Sequence, residues 1–256
     1  MARGILMLAS VLVALTLGSP QRASAGWDER RDAAARYLQD RAGIEGFAFV
    51  TDRGRLHGYR RAKRAPSASL LKAMLLVAYL NRDSVRRRAL TDADRNLLRP
   101  MIRWSDNVTA TRVLSIVGSR AMYRVARRAR MRDFSLRSPW GLSLTSARDQ
   151  AVFFYRIDRL VPERHRRFAM YQLRRIVPSQ RWGIPPAKPA GWRIYFKGGW
   201  GSGTGRVTHQ SALLRRAPMR LSLAVITEWN PNHGYGTRTI RGVARRILRT
   251  PLPLAP

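Results

Sequence analysis

The chain has 256 residues, 45% of them apolar, which suffices for one large domain or two small ones with a sizeable core. Its 49 basic and 15 acidic residues give a formal net charge of +34, which favours contact with polyanions. The arginines are scattered along the chain, which argues against a specific nucleic-acid site. Cysteine is absent, so disulfides, thiol catalysis and cysteine-ligated metals are excluded.

The first 25 residues have the three parts of a secretory signal peptide. Arg3 precedes an apolar run over 4–17, and Ala23-Ser24-Ala25 provides a small-residue cleavage site after Ala25. An uncleaved membrane anchor is the alternative, although the run is short for a span. We therefore expect a secreted or extracytoplasmic protein of residues 26–256, monomeric, whose charge favours anionic cell-wall polymers or lipid headgroups.

The predicted elements follow hydrophobic periodicity and turn residues. In chain order they are a helix over 27–41, strands over 46–51 and 56–59, a buried helix over 70–80, helices over 91–103, 107–117, 120–130, 145–155 and 162–176, strands over 192–196, 209–215 and 221–227, and a helix over 236–248. This order predicts an α/β (α+β) fold: a mixed antiparallel sheet flanked by the terminal helices, with an inserted all-helical subdomain. The sheet part is expected over about 26–66 and 190–256, the helical part over about 67–189, and a site at their seam.

The buried helix contains one charged residue, Lys72. Ser69 stands three residues earlier, which on a helix places the hydroxyl and the amine on one face and suggests that the amine activates the hydroxyl. A simple helix-capping serine and a lysine that extends to water are the alternative. Only four of the 49 basic residues are lysine, so a lysine retained in a buried helix suggests a need for a titratable amine.

Two more motifs fall at the expected seam. Ser105-Asp106-Asn107 lies at a helix junction, and Lys197-Gly198-Gly199-Trp200 lies at the end of a strand. Each is common alone, as a helix start or a strand exit. The order Ser-x-x-Lys, Ser-Asp-Asn, Lys-x-Gly is far more specific.

With these three motifs the sequence resembles the penicillin-recognising serine hydrolases, most closely the class A β-lactamase-like group of the β-lactamase/D,D-peptidase superfamily. The resemblance implies that Ser69 is the acylated nucleophile, Lys72 its base, and Ser105 the proton relay to the leaving nitrogen. It further implies that Asn107 holds the substrate amide and that Lys197 supplies positive charge for the substrate carboxylate. Backbone N–H groups of Ser69 and Trp200, beside Gly199, would form the oxyanion hole.

Three features depart from the family pattern. The loop glutamate that activates the deacylating water is missing: the only acid between Asn107 and Thr145 is Asp133, and Glu163 lies too late in the chain. Gly198 replaces the usual hydroxyl residue after the motif lysine, for which Ser202 or Thr204 could compensate. Ser69 and Ser105 are 36 residues apart, shorter than in typical members.

The sequence therefore predicts an exported serine hydrolase that forms a Ser69 acyl-enzyme with β-lactam or D-Ala-D-Ala-type peptidoglycan stem-peptide substrates. Without the glutamate, a D,D-peptidase is an alternative to a β-lactamase. A non-catalytic protein that binds cell-wall polyanions is the other alternative. No cofactor or metal is expected, because His57, His165, His209 and His233 show no metal-ligand spacing and are interpreted as surface or packing residues.

Overall fold

The computed structural model describes residues 21–201 and 203–254, with side chains described from residue 26 onwards. The segment 1–20, which holds most of the expected signal peptide, and Ser202 lie outside the described residues. Among the described residues, no helix is long and apolar enough to cross a membrane.

Five antiparallel strands form the main sheet, in the order β2-β1-β7-β6-β5. Their bounds are β1 Ile44–Val50, β2 Leu56–Tyr59, β5 Arg193–Gly201, β6 Val207–Arg216 and β7 Met219–Glu228. Strand β5 is at the sheet edge, so one side of its backbone is free to face the helical part of the protein. A second sheet pairs β3, Arg64–Pro66, with β4, Leu144–Ser146.

Eight α-helices are described in residues 21–201 and 203–254. They are α1 Gln21–Gln39, α2 Leu71–Leu80, α3 Asp83–Arg86, α4 Asp92–Arg103, α5 Asn107–Ala129, α6 Ala147–Leu160, α7 Glu163–Arg174 and α8 His233–Ile247. Gly118 interrupts α5 with a φ of 70°, in agreement with the two helices predicted there. Helix α1 begins at Gln21, so the expected cleavage site after Ala25 lies within this helix.

Helix α2 is the centre of the helical part. All ten of its residues are buried, and its apolar side chains pack with those of α4, α5, α6 and α7 into one cluster. A second apolar cluster fills the space between one face of the sheet and helices α1 and α8, with Phe47, Phe196 and Ile240 among its members. Burial of this size is the dominant favourable contribution to folding.

The predicted order of elements is confirmed: helix, two strands, a helical insert, three strands and a helix. The small β3–β4 sheet was not predicted, because strands of three residues are too short to show a hydrophobic period. Helix α6 also packs on the main sheet, since Ala147 and Ala151 belong to one buried apolar cluster with Ala48 and Ala224. The insert therefore covers one face of the sheet in addition to forming its own core.

Candidate active site

Ser69 lies where the sheet edge meets the central helix. It belongs to a short 3₁₀ turn, Ala68–Leu70, that leads directly into α2, and its side chain is partly exposed. Ala68 has a φ of 42°, an uncommon conformation for a residue with a side chain. Uncommon backbone conformations of this kind concentrate at functional sites.

The edge strand β5 passes close to this turn at Gly199. A Cβ added at Gly199 would lie 3.0 Å from the backbone nitrogens of both Ser69 and Leu70. Only a residue without a side chain fits this approach without displacing the backbone. The Leu70 N–H donates to the Ser67 carbonyl at 3.1 Å, so the Ser69 N–H is the donor here that lies next to β5 and suits an oxyanion site.

Lys72 is completely buried, with 0% of its surface exposed. Its ammonium donates to the Ser105 carbonyl, to Ser105 Oγ at 3.1 Å and to Asn107 Oδ1 at 2.7 Å. The alternative of an amine that extends into water is therefore wrong for this structure. No hydrogen bond among the described residues joins Lys72 to Ser69, so the amine faces the Ser-Asp-Asn turn rather than the hydroxyl one turn upstream.

Ser105 connects two lysines from different parts of the fold. Lys197, also 0% exposed, donates to Ser105 Oγ at 3.0 Å and to the Gly198 carbonyl at 2.8 Å. Ser105 has a φ of 62°, which turns the chain between α4 and α5. With both lysines charged, the Ser105 oxygen accepts twice, and its own proton is left to donate elsewhere.

Both lysines have a lowered pKa. Burial lowers the pKa of Lys72 to about 8, although the nearby Asp106 carboxylate opposes this shift. Burial and the charge of Lys72 lower the pKa of Lys197 well below its usual value. With a pKa of about 8, Lys72 is neutral in a fraction of the molecules at pH 7, which suits a general base.

Asp106 fixes the start of α5. Its carboxylate accepts from the backbone N–H of Thr109 at 2.7 Å and from the Thr109 hydroxyl at 2.6 Å, as an N-cap residue does. Asn107, the first residue of the helix, therefore holds its Oδ1 against Lys72. Its amide NH₂ remains to donate to a ligand.

Aromatic residues cover the outer side of β5. Trp200 is 37% exposed, and its ring meets Trp182 at 5.9 Å and His233 at 5.8 Å between centroids. A Cβ at Gly198 would lie 3.0 Å from the Trp182 ring. The Trp182 indole therefore occupies the space that a side chain at position 198 would need. The Thr204 hydroxyl donates to Gly201 O at 3.2 Å within its own turn.

Two functional candidates escaped the sequence analysis. The Trp140 ring centroid lies 5.1 Å from Lys72 Nζ, and its indole N–H donates to Thr111 at 3.0 Å, so the loop before β4 closes over the lysine. His209 faces Gly199 across the β5–β6 ladder and bonds the carbonyl of Pro66 at 2.9 Å. The Pro-Trp-Gly sequence was the only signal for Trp140, and none marked His209.

The two acids considered for deacylation are engaged elsewhere. Asp133 accepts from Ser146 Oγ at 2.5 Å and from Arg148 at 2.7 Å. The Glu163 side chain is 90% exposed at the start of α7, where it faces Arg166. Neither carboxylate bonds to Ser69 or Lys72 among the described contacts.

Comparisons with known proteins identify the family and the fold. A model of the beta-lactamase enzyme family matches residues 94–250. A β-lactamase from Sphaerobacter thermophilus DSM 20745 superposes with a TM-score of 0.74 at 21% identity, over 87% of this chain and 97% of that chain. A class A β-lactamase from Mycobacterium abscessus gives 0.73 at 20% identity, over 86% and 98%. At these sequence identities the similarity to the solved structures concerns the fold alone. The comparison with curated proteins finds no match.

Proposed function

The chain belongs to the beta-lactamase enzyme family and is a serine hydrolase, and we propose that it forms an acyl-enzyme at Ser69 with β-lactams. The observation that carries the proposal is the Ser105 hydroxyl, which accepts from Lys72 at 3.1 Å and from Lys197 at 3.0 Å beside the start of α2. A neutral Lys72 would take the Ser69 proton, directly or through Ser105, and the hydroxyl of Ser105 would pass a proton to the leaving nitrogen.

The remaining residues would position the substrate. Asn107 would donate to the substrate amide, and the N–H groups of Ser69 and Trp200 would stabilise the oxyanion, each worth about 3 kcal/mol. Lys197 is buried, so its charge would attract a substrate carboxylate across the Ser105 hydroxyl rather than by direct contact. A bound carboxylate would in turn raise the pKa of Lys197.

Slow deacylation is the second part of the proposal. Asp133 and Glu163 are paired or exposed away from Lys72, and Trp140 lies over the lysine. Neither of these two carboxylates would therefore serve as the base for a water at the ester. This favours a D,D-peptidase-like or penicillin-binding behaviour over rapid β-lactam turnover.

Intact-protein mass spectrometry after exposure to a penicillin tests both parts. We expect the mass to increase by one intact penicillin, to persist after removal of free drug, and to be absent in Ser69→Ala. Ser115→Ala, an exposed serine on α5, is the matched control and should be labelled as the wild type is. No adduct on the wild type, or an adduct on Ser69→Ala, would contradict the acyl-enzyme; rapid loss of the adduct would contradict slow deacylation.

A stem-peptide analogue that ends in D-Ala-D-Ala separates the two substrate classes. Ser69-dependent release of D-alanine would favour the peptidase. Labelling by penicillin without this release would restrict the proposal to β-lactams. The absence of both labelling and release would favour a non-catalytic wall-binding protein.

We also propose that the protein is exported and active outside the cytoplasm, on the strength of its N-terminal charge, apolar run and Ala-Ser-Ala sequence. N-terminal sequencing of the protein from the extracytoplasmic fraction should then begin at Gly26. A chain that begins at Met1 and remains in the membrane would favour the uncleaved anchor.

A further inference from the structure

A cleft of about 590 Å³ lies between the helical part and the outer end of β5, separate from the Ser105 site. Its floor is apolar and includes the buried side chains of Ile176, Trp192 and Ile194. Six basic residues line it: Arg103, Arg174, Arg175, Arg181, Lys188 and Arg193. The volume falls in the usual range for small-molecule sites, roughly 300 to 1,000 Å³.

The charges of this basic cleft are not neutralised by the protein. No acidic residue lines it, and none of the ion pairs among the described residues includes any of its six basic side chains. Burial and the charges of Arg174 and Arg175 lower the pKa of Arg181. A bound anion would relieve this repulsion.

Two of the arginines are held in place by the backbone. Arg103 Nε donates to the Arg175 carbonyl at 2.9 Å, and Arg181 Nη1 donates to the Arg174 carbonyl at 3.1 Å. Arg181 also lies over the Phe196 ring, 5.3 Å from its centroid. These contacts use only part of each guanidinium, which has five N–H donors, so further donors remain for a ligand in a fixed arrangement.

High overall charge does not by itself produce such a cleft. A comparable depression beside α2, α3 and α5 is lined by Arg86, Arg124 and Arg128. There Arg86 pairs with Asp83 at 3.2 Å and Arg128 donates to Asn81 at 2.7 Å. The basic cleft therefore differs from this depression because none of its basic side chains pairs with a carboxylate among the described residues.

We propose that the basic cleft binds a ligand that carries two or more phosphoryl groups. Several guanidinium groups around one concave site match the many acceptor oxygens and the high charge of linked phosphates, which a single carboxylate lacks. The apolar floor accommodates the non-ionic part of such a ligand. Soluble oligophosphates and lipid headgroups with two phosphates share this chemistry, and calorimetry and vesicle binding distinguish these two sources.

Isothermal titration calorimetry of the full chain with pyrophosphate, tripolyphosphate and citrate tests the proposal. The test variant is Arg174→Gln/Arg175→Gln/Arg193→Gln, because these side chains are exposed and their loss leaves the core unchanged. The matched control is Arg120→Gln/Arg124→Gln/Arg127→Gln, which removes the same charge from the exposed side of α5. Co-sedimentation with cardiolipin/phosphatidylcholine vesicles, whose cardiolipin headgroup carries two phosphates, against pure phosphatidylcholine, forms the lipid arm.

We expect tripolyphosphate to bind more tightly than citrate and the cleft variant to bind at least tenfold more weakly, while the control stays within about twofold of the wild type. Binding only to the anionic vesicles, lost in the cleft variant alone, would support the proposal with a lipid source. Equal losses in both variants, equal binding of citrate, or no binding in either arm would overturn it. Penicillin labelling should be the same in all three proteins, so failure here leaves the acyl-enzyme proposal untouched.

Discussion

The ammonium groups of Lys72 and Lys197 donate to a single oxygen, Ser105 Oγ, at 3.1 and 3.0 Å. One lysine comes from the central helix and the other from the edge strand, so this hydroxyl joins the two halves of the fold. Two buried like charges at such short range favour the loss of one proton. A neutral lysine at this position could act as the general base for the acylation of Ser69.

Replacement of Lys72 by arginine should reduce penicillin labelling by at least about a hundredfold, because a guanidinium cannot lose its proton and serve as a base. The partly exposed Lys63, which lies 3.8 Å from Glu228, provides the control Lys63→Arg, which should label normally. Labelling rates are measured by gel fluorescence with a fluorescent penicillin. Normal labelling of Lys72→Arg would exclude the amine as base.

The labelling rate of the wild type should depend on pH through Lys72. Burial lowers the pKa of this lysine to about 8, so the neutral amine predominates above that pH and becomes scarcer below it. The rate should fall about tenfold for each pH unit below the pKa and level off above it. A rate that is constant between pH 6 and 9 would contradict this role.

Replacement of Ser105 by alanine should reduce labelling by a factor of about 10² to 10⁴, the range for loss of a proton-transfer group. The two lysines would also lose their shared acceptor, so the pH at which labelling levels off should move. A merely structural role would lower the melting temperature and leave that pH unchanged. The pH–rate profile of Ser105→Ala therefore distinguishes the two roles.

His209 should stabilise the loop that carries Ser69. Its Nε2–H donates to the Pro66 carbonyl at 2.9 Å, and its Nδ1 accepts from the Thr227 N–H at 3.0 Å. His209→Ala leaves both buried groups unpaired, which should cost about 2 to 4 kcal/mol of unfolding free energy in urea titrations. Labelling should also slow, because Pro66 precedes Ser69 by three residues.

The same histidine makes stability depend on pH. Burial lowers its pKa from 6.5 to about 4, so the unfolded chain binds the proton more readily. Its contribution is present above pH 6.5 and is lost as the pH falls towards 4, by up to about 3 kcal/mol. Urea titrations at pH 7 and 4.5 should show a smaller difference in His209→Ala than in the wild type; an equal difference would assign the effect to other groups.

Replacement of Gly198 by a hydroxyl residue should lower the stability of the protein. A Cβ at Gly198 would lie 3.0 Å from the Trp182 ring, so Gly198→Thr must displace the indole and should lose about 1 to 3 kcal/mol of stability, the usual cost of overpacking. Gly198→Thr/Trp182→Ala should lose less than the sum of the two single variants. Additive losses in thermal or urea unfolding would show that the two positions do not interact.

The order of the helices and strands and the three motifs can both be recognised from the sequence alone. Hydrophobic periodicity specified the buried helix around Lys72 and the strand β7, because burial imposes a period on apolar residues. The scarcity of lysine among 49 basic residues singled out Lys72 and Lys197 before any contact was known. These signals arise from residues that are close together in the chain, so they are visible without the structure.

The tertiary structure alone decided how these residues meet. Lys72 faces Ser105 and Asn107 rather than Ser69, Trp140 closes over it, and Trp182 fills the space beside Gly198. The basic cleft likewise gathers Arg103, Arg174 and Arg193 from three distant segments. Such contacts depend on the packing of elements far apart in the chain, and no spacing within a single segment encodes them.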